Sequence, residues 1–176
     1  MPDDAPGREP RPLYSLEAEE AVIGGLMLSS AAYDTIAGVL SLDDFAIDKH
    51  RFIFRAVKAL IDSKHTPDVL TVAEHLKASG DLEGAGGLAH LHQLAVGVPS
   101  IANIKRYADI VRDRALVRRV IVTLNTVGEL AREANGLTGR EIVDQVQRAF
   151  SEIPMQGIAA RGELRSMKHF VMSALE

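Results

Sequence analysis

Apolar residues recur along this chain at helical spacing, and nowhere at the strict alternation of a half-buried strand. The first stripe is Val22, Ile23, Leu26 and Met27 in LEAEEAVIGGLML. Ser15 stands before it as an N-cap, and Glu17, Glu19 and Glu20 occupy the first turns, where carboxylates complement the helix dipole. Gly24-Gly25 lowers helix propensity by about 1 kcal/mol per glycine, so the pair implies close approach by another helix. A second helix is expected from Ser30 to about Leu40. Ser41 and Asp44 then have the spacing of a capping box. Asp48 is the expected cap of a third helix, whose inner face is Ile53, Val57, Leu60 and Ile61. After the break at Thr66-Pro67-Asp68, a fourth helix spans about Leu70 to Ser79 and ends at Gly80, a natural position for a left-handed residue. A fifth covers Gly87 to Val96, and Gly97 to Pro99 stop it.

The most regular stretch follows. No proline occurs between Pro99 and Pro154, and helical periodicity runs from Ser100 to Asn135-Gly136. At 1.5 Å per residue such a helix is about 50 Å long. Its second half carries a heptad seam: Val117, Val120, Leu124, Val127, Ala131 and Ala134. Thr138 and Glu141 form another capping box, followed by a stripe at Ile142, Val146, Ala149 and Ile153. Two helices joined by so short a link, with seams that face each other, predict an antiparallel hairpin. The expected fold is all-α. Residues 1–13 form a disordered polar tail, 14–99 a globular helical head, 100–153 the hairpin and 154–162 a Gly-containing linker. A last helix at 163–176, with Leu164, Met167, Val171 and Leu175 on one face, reaches the chain end without a cap. The expectation is a piece of a longer protein.

Composition narrows the function. The 176 residues are 47% hydrophobic and 25% charged, ordinary globular values. There is no cysteine, which removes disulfide, thiolate and Cys-zinc chemistry and suits a cytoplasmic protein. No apolar run approaches the roughly 20 residues of a membrane span. Net charge is −4, whereas nucleic-acid binders usually carry a basic excess. The charge is uneven, however: Lys105, Arg106, Arg112, Arg114, Arg118 and Arg119 stand against only Asp109 and Asp113. That stretch reads first as a solvated helix face, next as a salt-bridging surface toward an acidic neighbour, and last as a nucleic-acid contact. Tyr107 is the one aromatic near it on which a base would stack.

Motifs for catalysis are missing. No Gly-Lys dipeptide exists, so the phosphate-cradling loop of common ATPases has no counterpart. Residues 84–89 fit G-x-G-x-x-A, but a turn after a helix precedes them and the dinucleotide fingerprint requires a strand. His90 and His92 are two residues apart and point to different sides of a helix, which disfavours a metal site. The paired acids Glu19-Glu20 and Asp43-Asp44 are explained at this level by capping and dipole effects. No cofactor and no catalytic or metal-ligating residue is expected in this chain.

Six segments nevertheless stand in a familiar order: SLEAEEAVIGGLML (15–28), DDF (43–45), HRFIF (50–54), PDVLTVAEHL (67–76), GGLAHLHQL (86–94) and VPSIANIKRYADIVRDRALVRR (98–119). Together they resemble the N-terminal domain of DnaB-type bacterial replicative helicases over roughly residues 13–153. The resemblance implies a collar domain that pairs through its hairpins, builds a hexamer and docks DnaG-type primase. It also implies that ATP and Mg belong to a separate C-terminal motor, which unwinds DNA 5′ to 3′ and takes the single strand. The linker helix would pack on a neighbouring subunit and engage a helicase loader. On this basis the expected protein-contact residues are Glu17, His90, Val117, Ile121, Leu124, Val127, Leu164 and Val171. His90 departs from the pattern, where tyrosine is usual, as do Tyr14 and Ala46. An alternative is the helicase-binding domain of a primase, an adaptor with related helical architecture. A helical enzyme without a known motif is the third reading.

Overall fold

The computed structural model describes residues 12–133 and 136–153. Among the described residues seven α-helices carry the fold: α1 Leu16–Leu28, α2 Ala31–Ile36, α3 Asp48–Asp62, α4 Val69–Ser79, α5 Gly87–Val96, α6 Ile104–Arg132 and α7 Gly139–Ser151. Single 3-10 turns at Leu42–Asp44 and Ile101–Asn103 precede α3 and α6. No strand occurs among the described residues. The architecture is all-α, as the spacing predicted. The expected linker and last helix, with Leu164 and Val171, lie outside the described residues.

α1 is the axis of the head. Ser15 caps it, its hydroxyl accepting from the Ala18 amide. The expected stripe is buried, and Ala18 and Ala21 are buried as well, because α1 packs on α2, α3, α5 and α6. Gly24 explains how the helices come so close. A Cβ there would lie 2.1 Å from the Leu94 carbonyl oxygen of α5. Around α1 close Ile36, Phe45, Ile53, Phe54, Val57, Val72, Leu76 and Leu91, a single core that burial of apolar area stabilises.

Three boundaries differ from the periodicity. α2 ends at Ile36, four residues early, because the chain turns at Gly38 and swings Leu40 into the core. Asp48 is the first residue of α3 and not its cap; Ile47 holds the cap position, and Asp48 pairs with Arg51 at 3.2 Å. α6 starts at Ile104, after the Ser100 turn, and its 29 residues make about 44 Å.

α6 also crosses the boundary expected at residue 100. Ile104, Ala108 and Val111 on its first half belong to the head core, Ala115 is buried beside them, and the same helix packs against α7. One helix therefore forms both a wall of the head and a strut of the hairpin. The turn between α6 and α7 has Gly136 at φ 92°, and Thr138 with Glu141 forms the expected capping box of α7.

Candidate functional site

The segment between α2 and α3 is gripped from both sides by polar side chains. From α1, Glu19 is 1% exposed, so its carboxylate is cut off from water. It accepts hydrogen bonds from the Ala46 amide at 2.8 Å, the Ile47 amide at 3.4 Å and His50 Nδ1 at 2.8 Å. Three donors on one carboxylate make its burial tolerable. This corrects the dipole explanation of Glu19. The signal was present in the sequence: Glu19 lies three, four and seven residues before Val22, Ile23 and Leu26, inside the apolar stripe.

From α6 the grip comes through arginines. Arg118 donates to the carbonyls of Leu13 at 2.7 Å and Asp44 at 2.6 Å, and Arg119 pairs with the Asp44 carboxylate at 2.7 Å. Arg112 donates to the Val39 carbonyl. The other Asp44 oxygen accepts from the Ser41 amide and hydroxyl, completing the capping box. Three cations of the Arg-rich stretch, Arg112, Arg118 and Arg119, thus clamp α6 to its own head, while Lys105 and Arg106 are exposed. Lys105 pairs with Asp109 along the helix at 3.7 Å. Residue 13, expected to end a disordered tail, is held by the same clamp.

The sequence-derived contact residues fall into two groups. Glu17 is exposed in the first turn of α1, its carboxylate accepting from the Ser15 hydroxyl at 3.3 Å. His90 is half-buried on α5, stacked on His50 with ring centroids 6.2 Å apart. Burial, with Lys49 and His50 nearby, holds the His90 imidazole below its ordinary pKa. The second group lies on α6. Val117 and Leu124 are 39% and 52% exposed, while Ile121 and Val127 are half-buried. The heptad seam is therefore only partly used within the chain: α7 presents Ile142, Val146 and Ala149, with Ile153 just beyond its end, yet leaves Val143 exposed as well.

Among the described residues, no group of three or more His, Asp or Glu side chains is placed to hold a metal. Residues 84–89 form a turn and the start of α5, with Gly86 and Gly87 at positive φ and no strand before them. No described helix is long and apolar enough to cross a membrane.

Fold and site together define an all-α domain, a helical head from which α6 runs on to pair with α7. The model of the DnaB-like helicase N terminal domain matches residues 11–113, and the chain belongs to that family. It is 38% identical over 142 residues to the replicative DNA helicase DnaB of Buchnera aphidicola subsp. Baizongia pistaciae, covering 81% of this chain and 31% of that protein. Against the Pasteurella multocida replicative DNA helicase DnaB it is 36% identical over 137 residues, 78% of this chain and 29% of the relative. The chain thus spans about a third of the length of these curated relatives. The crystal structure of the N-terminal domain of DnaB helicase from Mycobacterium tuberculosis superposes with a TM-score of 0.76 at 33% identity, covering 81% of this chain and all of that one. A DnaB-like replicative helicase, described with its interactions with primase, shares the fold with a TM-score of 0.65 at 17% identity, over 92% of this chain and 35% of its own. The alternative of a primase adaptor domain gives way to this assignment.

Proposed function

We propose that this chain is the collar module of a replicative DNA helicase, which self-associates through its hairpin and docks DnaG-type primase. One observation carries the reading. Over its second half α6 keeps one apolar side, with Val120, Ile121, Leu124, Val127 and Leu130 falling beside Val117 within about 180° at 100° per residue, and although α7 packs on this helix, Val117 and Leu124 stay exposed. A wide apolar stripe on a helix is normally covered by a packing partner. A second copy of the hairpin supplies the missing cover over Val117 and Leu124. In the parent protein ATP and Mg belong to a motor segment outside this chain, which unwinds DNA 5′ to 3′ and holds the single strand. Glu17, His90, Ile121 and Val127 are the proposed contacts to primase and to the neighbouring protomer. Leu164 and Val171 are those of the linker helix, toward a neighbouring motor and a loader. The setting is the cytoplasmic replication fork. The relatives' names and the primase in one neighbour's description support this reading by analogy.

Burying one leucine is worth about 1.5–3 kcal/mol, so a charge at the centre of the interface should weaken association at least tenfold (about 1.4 kcal/mol). Light scattering across a concentration series should give dimers or larger rings for the native chain and a monomer for Leu124→Asp. A native chain that stays monomeric at its highest soluble concentration refutes self-association. Capture on immobilised primase C-terminal domain tests docking separately, and Ile121→Asp should abolish it. Failure of the native chain to be captured removes the primase assignment.

A further inference from the structure

Two imidazole nitrogens in the head are buried without a hydrogen-bond partner among the described residues, and they belong to neighbouring rings: Nε2 of His50 on α3 and Nε2 of His90 on α5. The rings lie parallel to within 7°, with centroids 6.2 Å apart. His50 is the fixed member. It is fully buried, and its Nδ1 meets the Glu19 carboxylate at 2.8 Å, so the neutral ring carries its proton there and leaves Nε2 bare. His90 is the adaptable member. It is half-buried at a cleft of about 300 Å³, which Glu20, Gln93, Leu94 and Gly97 also line. Its seat depends on Gly86, where a Cβ would lie 3.0 Å from His90 Cβ, Cγ and Cδ2.

The charges around His90 divide by helix. Burial, then Lys49 and His50 of α3, oppose a positive charge on its ring, and Glu20 of α1 favours one. Glu19 of α1 is already taken up by its three donors. α4 also packs on α5, but its Glu74, His75 and Lys77 are exposed, as is His92 of α5 itself. A neutral imidazole tolerates this seat. A protonated one has two N–H donors, and a charged donor buried without an acceptor is costly. The carboxylate that the cleft offers is Glu20.

We propose that His90 is a two-position pH switch: neutral, it lies against His50 and closes the junction of α1, α3 and α5; protonated, it turns into the cleft and pairs with Glu20. The inner position keeps the Glu19–His50 contact dry, and the outer one opens His50 Nε2 to the cleft. A histidine whose pKa is lowered in the folded state stabilises fully above its unfolded pKa of about 6.5. That contribution declines as pH falls from there through the folded value. The switch belongs to the chain alone, whether or not His90 meets primase.

Nuclear magnetic resonance of the histidine rings, from about pH 8 to about pH 5, tests it on the whole chain. His90 should titrate below the exposed His92. Over the same range its ring should lose its through-space contact with the His50 ring and gain one with Glu20. Glu20→Gln should lower that transition by about half a pH unit or more. In urea unfolding the native midpoint should fall as pH drops from about 7 to about 5.5. His90→Tyr should remove most of that fall, and His92→Tyr should leave it in place. Titration of His90 in step with His92 overturns the proposal. So does contact with His50 that persists once His90 is protonated, an unshifted transition in Glu20→Gln, or a urea profile that His90→Tyr leaves unchanged or that His92→Tyr flattens equally.

Discussion

Replacing Glu19 by alanine isolates the contact that ties α1 to the start of α3. The change leaves the Ala46 and Ile47 amides and His50 Nδ1 without their acceptor. His50 is fully buried, and its Nε2 already has no partner among the described residues. Each buried donor left unsatisfied costs about 1–3 kcal/mol. These three share one acceptor, so their costs do not add in full, and loss of one partner from a buried pair costs about 3–5 kcal/mol. We expect a loss in that range for Glu19→Ala, which lowers the melting temperature by about 10 °C or more. Glu19→Gln should fall between, since its amide keeps one acceptor and turns an N–H toward the donors. The assay is urea unfolding followed by circular dichroism, with Glu20→Ala as the adjacent, half-exposed control, expected to stay within about 0.5 kcal/mol. If Glu19→Ala and Glu20→Ala shift the urea midpoint equally at constant slope, Glu19 is not the anchor that its geometry indicates.

Other outcomes follow from the same structure. Gly24→Ala places a Cβ 2.1 Å from a backbone oxygen of α5 and should cost about 3 kcal/mol or more, whereas Gly128→Ala, whose nearest neighbour is Arg132 Nη1 at 3.7 Å, should stabilise by up to about 1 kcal/mol; thermal melts of the two compare them directly. Asp44→Ala removes the Ser41 cap and the Arg119 pair and should cost about 1–3 kcal/mol, with amide exchange rising in both the 41–47 segment and the middle of α6. Confinement of that rise to the segment would show that the clamp does not hold α6. The backbone amide and then the hydroxyl of Thr138 lower the Glu141 carboxyl pKa. A group lowered in the folded state stabilises above its unfolded pKa and loses that contribution as pH falls through its folded value. The helicity of α7 should therefore decline below the ordinary glutamate range, and Glu141→Gln should flatten that part of the titration. Identical curves for the two proteins would remove the capping box as its cause.

Local chemistry was enough for much of this fold. Ser15, Thr138 and Gly80 mark helix ends because capping involves residues only two to four apart, and all three sit where they were expected. The family was legible for a related reason, since six short segments in register specify the packing of one head. Partners distant in sequence were not legible. Glu19 and His50 are 31 residues apart, and Asp44 and Arg119 are 75 apart. A charge can be assigned to a helix from its neighbours, but whether it faces water or an acceptor depends on what folds against it. The clamp arginines looked solvated for that reason. Periodicity likewise placed apolar residues on α6 without saying which of them α7 would cover. That depends on the angle at which two helices meet, and only the tertiary structure sets it. It buried part of the seam, left Val117 and Leu124 uncovered on one side, and left Val122 uncovered on the other.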